Sequence, residues 1–160
     1  MPRKKVRASE SDTIMTHIVL PQDTNPHGNL HGGVMLKLID STAGVVAFRY
    51  TRSNCVTASI DRTDFFTPVY VGELITLRGR VNNVGKTSME IGVRAEAEDL
   101  ITGEIRHVNS AYLTFVCLDK SGKPQPVPEL ITENENDERR KRQAEQRFES
   151  RRQLRKAESE

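Results

Sequence analysis

The apolar positions of this chain change period once. From residue 31 to 50, HGGVMLKLIDSTAGVVAFRY, the residues Met35, Leu38, Ile39, Thr42, Val45 and Val46 recur at helical spacing. Val34, Leu36, Ala47 and Phe48 add apolar groups on the remaining faces. A helix apolar nearly all round belongs inside a fold. Beyond it the period falls to two. In ELITLRGRV, Ile75, Leu77, Gly79 and Val81 alternate with Thr76, Arg78 and Arg80. In TSMEIGVRAEAED, Met89, Ile91, Val93, Ala95 and Ala97 alternate with Ser88, Glu90, Arg94, Glu96 and Glu98. One dry face and one wet face is the pattern of an antiparallel sheet. Turns are expected at Gly85-Lys86 and at Thr102-Gly103, with strands at 13–20 and 55–61 and a last long strand over 104–118. That last strand turns apolar on both faces towards its end, which predicts burial on both sides there. One sheet wrapped on one central helix is an α+β arrangement.

The ends read differently. Residues 1–12, MPRKKVRASESD, are basic and polar, and the expectation is a disordered arm ahead of a domain spanning 13–128. With no apolar stretch behind it, the arm does not read as a secretory leader. Residues 129–160 hold nine acidic and nine basic side chains, so the tail is neutral and the whole chain's +2 resides elsewhere. The Arg-rich run at 139–142 raises nucleic-acid binding, but balanced signs cancel a long-range field. The reading is a charged, helical tail held by i to i+4 pairs such as Glu138–Arg142. With Phe148 and Leu154 its only large apolar groups, it has no core of its own and frays or packs on a neighbouring subunit.

Composition adds limits. No run approaches the roughly 18 apolar residues of a membrane span, and the expected location is cytoplasmic. Cys55 and Cys117 lie in apolar strands outside any CxxC spacing, and read as two buried free thiols and not as a zinc site or a disulfide. No metal is expected.

Two features carry chemistry. Asp40 sits in the most apolar helix, where a carboxylate is costly unless paired or hydrogen-bonded. It either pairs with Lys37, Thr57 or a backbone group, or faces a cleft as a general base or nucleophile. Residues 28–33, GNLHGG, open the same helix. The first amides of a helix lack internal partners and lie at its positive end, so they can polarise a carbonyl. Gly33 and Asp40 are seven residues apart, about two turns, on one face. Gly32 and Gly33 also fit a merely tight loop.

The segment PQDTNPHGNLHGG at 21–33, followed by VMLKLID, resembles the acyl-CoA hydrolase branch of the hotdog-fold thioesterases, which includes brain-type and YciA-like hydrolases. The match rests on Pro21, Asn25, Gly28, Gly32, Gly33 and Asp40, with DFFTPVYVGE at 64–73, GKTS at 85–88 and DKSGKPQPVP at 119–128. It covers residues 14–128. The resemblance implies a hotdog fold and hydrolysis of acyl-CoA to a free acid and CoA, with no cofactor besides the CoA of the substrate. It implies that Asp40 activates water or attacks the thioester, that the Gly33 amide polarises the carbonyl, and that Asn25 acts across a homodimer interface. Assembly into a hexamer, as a trimer of dimers, is a further implication.

For the CoA phosphates, Arg78, Arg80, Arg94 and Lys86 are candidates, and the resemblance favours Lys86 with Thr87 and Ser88. His31 and Gly32 are placed near the substrate by the same motif, while His31 also fits a packing role and His107 is given none. No GxSxG elbow is present. Two rival readings stand beside hydrolysis. One is a hotdog dehydratase, which usually employs a histidine. The other is a non-catalytic acyl-CoA sensor, which needs a DNA-binding domain that residues 1–12 are too short to form.

Overall fold

The structure, a computed structural model, describes residues 2–61 and 63–159. Met1 at the start of the expected arm and Glu160 at the end of the tail lie outside the described residues.

The central helix α1 runs Gly32–Thr51. It starts at His31, in extended backbone, and stops where Arg52 adopts a left-handed φ of 52° and its N–H bonds back to Phe48. Met35, Ile39, Thr42, Ala43, Val46, Ala47 and Tyr50 are its buried residues. They form the stripe that faces the sheet. Around it fold β2 (Thr13–Ile18), β3 (Asn54–Ile60), β4 (Asp64–Phe65), β5 (Leu74–Val84), β6 (Ser88–Glu98) and β7 (Ile105–Leu118). The strand order is β2-β5-β6-β7-β3, all antiparallel, with β4 paired to β7.

The inner face of this sheet is the period-two set. Ile75, Leu77, Val81, Ile91, Val93, Ala95, Leu113 and Phe115 are buried with the helix stripe in one core. Helix and sheet approach most closely at Gly79. A Cβ there would lie 2.7 Å from Val46 Cγ2 and 3.3 Å from Thr42 Cγ2. The sheet wrapped on the central helix is the hotdog arrangement. The alternation on β7 persists to its end: Leu113, Phe115 and Cys117 are buried, Thr114, Val116 and Leu118 half-buried.

Two expectations for the ends are corrected. The first twelve residues do not form a disordered arm. Lys5–Arg7 is a strand, β1, paired in parallel with β8 (Glu129–Ile131), and Arg3 Nε donates to the Val127 carbonyl at 2.7 Å. The physical reason is burial: Val6 and Ala8 reach the interior, and buried Ser11 Oγ accepts from the Val81 N–H at 3.1 Å.

The tail does not fray either. Glu135–Glu158 is a helix, α2, capped by Asn134, whose side chain accepts from the Asp137 N–H at 2.9 Å. It crosses the outer face of its own sheet. Arg147 donates to Glu90 at 2.7 Å and lies 3.6 Å over the Tyr112 ring; Arg80 pairs with Asp137 at 3.2 Å. Arg151 pairs with Asp61. These partners displace the expected pairs along the helix. Glu90, its side chain only 5% exposed, needs cations more than any surface glutamate does.

Candidate active site

The α1 start is built by a short network. The His31 N–H donates to the Asp23 carbonyl at 2.8 Å, and the Leu30 N–H to the Val69 carbonyl at 2.7 Å. The Asp23 carboxylate accepts from the Leu20 N–H at 2.8 Å and contacts His17 Nε2 at 2.9 Å. Those bonds, the Leu20 amide first, hold the Asp23 carboxyl below its ordinary range. The helix start is thus fixed to the sheet and to the loop before it.

Asn25 sits in a tight turn in that loop. Its Oδ1 accepts the N–H groups of His27 at 3.0 Å and Asn29 at 3.2 Å. The oxygen end being taken, what the side chain has left to offer is its NH2, a pure donor. Asn25 and Gly32 line one cavity of about 270 Å³, whose other walls include Met35, Phe65, Phe66, Val69 and Val108. An apolar slot with a convergent amide donor suits an acyl chain or another apolar arm.

Gly33 is not a free donor in this state. Its N–H donates to His31 Nδ1 at 2.9 Å, so the histidine caps the helix with its own ring. That bond requires Nδ1 to be unprotonated. A carbonyl can take the Gly33 amide only by displacing the His31 ring; His31 is exposed.

Asp40 lies two turns along the helix, roughly 10 Å from Gly33 by the rise per residue. It is half-buried, and Thr57 on β3 donates to its Oδ1 at 2.6 Å. No ion pair with the exposed Lys37 is found among the described residues. Of the two readings of Asp40, the hydroxyl partner of the structural one is therefore present, and it leaves the carboxylate accessible. β3 is the last strand of the sheet, with β7 on one side only. Val56 and Ile60 on that edge, and Val45 and Phe48 on α1, are exposed apolar residues. Asp40 thus stands beside a sticky, unpaired edge.

Lys86, Thr87 and Ser88 are not brought to these residues within the chain. The Lys86 carbonyl accepts from the Val127 N–H at 2.9 Å, and the Tyr50 hydroxyl, at the far end of α1, donates to the neighbouring Pro128 carbonyl at 3.0 Å. The turn therefore belongs to the end of the helix opposite His31, Gly32 and Gly33, about 30 Å of helix away. Among the described residues no group of three or more His, Cys, Asp or Glu is placed to hold a metal ion, and no helix is long and apolar enough to cross a membrane. Cys55 and Cys117 are free, buried, and directly opposite each other on β3 and β7. The sequence reading missed the cavity walls at Phe65, Phe66 and Val69. Their signal was the paired aromatics before Pro68, noted there only as part of a motif.

Residues 27–104 match the thioesterase superfamily. The chain is 41% identical over 128 residues to YkhA of Bacillus subtilis, an uncharacterised acyl-CoA thioester hydrolase, covering 80% of this chain and 74% of that protein. It is 40% identical over 134 residues to the mouse cytosolic acyl coenzyme A thioester hydrolase, covering 82% of this chain but only 35% of the mouse protein. The chain therefore spans about a third of that longer relative. An apo-hexameric acyl-CoA thioesterase superposes with a TM-score of 0.91 at 40% identity, covering 94% of this chain and 97% of that one.

The acyl-CoA hydrolase of Staphylococcus aureus, solved with butyryl coenzyme A, coenzyme A and coenzyme A disulfide, gives a TM-score of 0.88 at 35% identity, over 97% and 94% of the two chains. Variants of that enzyme have also been solved in which an asparagine, an aspartate or a threonine is replaced by alanine. Those three positions are spaced 15 and 17 residues apart, as Asn25, Asp40 and Thr57 are here. The chain belongs to the thioesterase superfamily, and the relatives it matches are named acyl-CoA thioester hydrolases.

Proposed function

We propose that the protein is a cytoplasmic acyl-CoA hydrolase that cleaves the thioester to a free carboxylic acid and CoA at a site shared between two protomers. The observation that carries this reading is the Asp40 carboxylate, held by Thr57 at 2.6 Å beside an unpaired apolar strand edge. Its spacing from Asn25 and Thr57 is that of the residues replaced in the S. aureus enzyme.

In the proposed reaction the acyl carbonyl takes the Gly33 N–H from His31, and the growing negative charge on oxygen is met at the positive end of α1. Asp40 removes a proton from water as it attacks the carbonyl carbon, or attacks directly and is released by water in a second step. Asn25 of a second copy offers its NH2 to orient water or thioester. Collapse of the tetrahedral species expels the CoA sulfur, which leaves as thiolate or takes up the proton. Pairing of two β3 edges would cover Val56, Ile60, Val45 and Phe48 and carry Asn25 of one copy towards Asp40 of the other. The structural relatives described as hexameric support assembly of such dimers into a hexamer.

A complementation experiment tests the shared site. Asn25→Ala and Asp40→Asn, each inactive alone, are mixed under subunit exchange. Random two-fold pairing leaves one intact site in half of the dimers, so about a quarter of wild-type activity is expected. No recovery despite demonstrated exchange places both residues in the same protomer's site and contradicts the proposal.

A further inference from the structure

The cavity beside the start of α1 lies along the same sheet edge as Thr57, the partner of Asp40. β4 continues the line of β3 along β7: Ile60 is opposite Leu113, then Asp64 and Phe65 are opposite Ser110 and Asn109. In the lining of the cavity Met35, Val69 and Val108 are buried, whereas Phe65 and Phe66 are 52% and 55% exposed. Two adjacent exposed rings beside a pocket mark a binding surface.

The wall that carries these rings is held firmly. Asn109, fully buried, donates from Nδ2 to the Asp64 carbonyl at 3.1 Å, and the Phe66 N–H donates to the Val108 carbonyl at 3.0 Å. The Phe66 ring packs 4.9 Å from that of His107. Arg106, paired with Glu73, donates to the Pro68 carbonyl at 2.7 Å and to the Thr67 hydroxyl at 3.2 Å. The Phe65 ring reaches the first turn of α1, where a Cβ at Gly32 would lie 3.7 Å from its Cζ. That is one residue from the amide that the proposed reaction uses.

Two arms of a CoA thioester compete for an apolar slot here, the acyl chain and the pantetheine arm, and they differ in polarity. The pantetheine arm carries two amides, each of which needs a hydrogen-bond partner once out of water. The carbonyls that border the cavity are already engaged: Pro68 by Arg106, Val69 by the Leu30 N–H and Val108 by the Phe66 N–H. Asn25 Oδ1 is engaged as well. An alkyl chain asks for no such partners. A methylene takes up the room of one water in the liquid, ~30 Å³, so a cavity of about 270 Å³ holds roughly nine. A longer chain meets the Phe65–Phe66 wall.

We propose, resting on the hydrolase reading above, that this cavity is the acyl subsite, that it selects acyl chains of short to medium length, and that Phe66 and Val108 set the limit.

The test uses the full chain in its native assembly and two readouts. The first is calorimetric affinity for S-butyl-, S-octyl- and S-dodecyl-CoA, thioethers that cannot be cleaved. The second is CoA release from the corresponding acyl-CoA thioesters. Each buried methylene strengthens binding by up to about fourfold. Affinity is therefore expected to rise at least tenfold from butyl to octyl and to change less than threefold from octyl to dodecyl, with kcat/KM following the same profile. In Phe66→Ala, whose side chain is exposed, the dodecyl-to-octyl ratio should rise at least threefold. In Val108→Leu, which adds bulk to the floor, the octyl-to-butyl ratio should fall at least threefold. Ratios are unaffected by a fraction of misfolded protein. An affinity independent of length, or one still rising steeply to dodecyl in the wild type, overturns the proposal. So do variants that change all three lengths by one factor, which would assign the cavity to the pantetheine arm. Length-dependent thioether binding without any CoA release would refute the hydrolase reading and leave the acyl subsite standing; CoA release with no length dependence would do the reverse.

Discussion

Replacing Thr57 by valine keeps the shape of the side chain and removes one interaction, the 2.6 Å hydrogen bond to Asp40 Oδ1. A hydrogen bond from a neutral donor to a charged acceptor contributes about 1.5–3 kcal/mol. Thr57 is exposed and Asp40 half-buried, so water replaces part of it and the low end applies. About 1.5 kcal/mol corresponds to roughly a tenfold drop in rate. If the bond aims the carboxylate at the reacting carbonyl, the drop falls on kcat, with KM little changed. Thr57→Ser, which retains the hydroxyl, should keep most of the activity. The assay is steady-state release of the CoA thiol, followed with a thiol-reactive chromophore over a range of acyl-CoA concentrations. Equal kcat for Thr57→Val and wild type, or an equal loss in serine and valine variants, would refute this role for the hydroxyl.

Further outcomes follow from other contacts. His31→Ala removes the ring that caps Gly33, and loss of a helix cap costs about 0.5–2 kcal/mol of stability. Its kcat should stay within severalfold of wild type, since the amide is freed and not lost, and a fall to the level of Asp40→Asn would make His31 a catalytic group. Gly79→Ala drives a methyl to within 2.7 Å of Val46 on α1, and overpacking of this kind costs about 1–3 kcal/mol in a thermal or chemical melt. Glu73 is held by Arg106 through contacts of 2.5 and 2.8 Å, which with the Tyr70 amide lower its carboxyl from the ordinary 4.5. A lowered carboxyl contributes stability above its unfolded pKa and loses it as pH falls through the folded value. Wild type should therefore lose part of its advantage over Arg106→Gln on titration below pH 4.5, as read from urea midpoints at each pH.

The core of this fold was legible because its elements are long enough to show a period. Twenty residues of α1 and eleven each of β5 and β6 give several repeats, and the turns at Gly85 and Gly103 are marked by residue type. β1 and β8 have three residues each, too few for any period, and only their pairing with each other defines them. The docking of α2 was hidden for a different reason. Its face towards the sheet is arginine and alanine, not an apolar stripe, and the partner of Arg147 is Glu90, 57 positions earlier. Asp40 stood out as a carboxylate in an apolar helix, and Thr57 was legible only as one of its alternative partners. That the Gly33 amide is already occupied was not legible, because glycine followed by glycine gives no sign of what caps it. Lys86 was chosen from motif similarity alone, and the fold puts it at the other end of α1.

The central claim is that Asp40 drives thioester hydrolysis. Its most direct test is CoA release by Asp40→Asn beside wild type, across acyl chain lengths, with the oligomer and the melting temperature shown to be unchanged. Hydrolysis by wild type and its loss by several orders of magnitude in the variant is the expected result. A variant that releases CoA at the wild-type rate, or a wild type that binds acyl-CoA without cleaving it, would contradict the account.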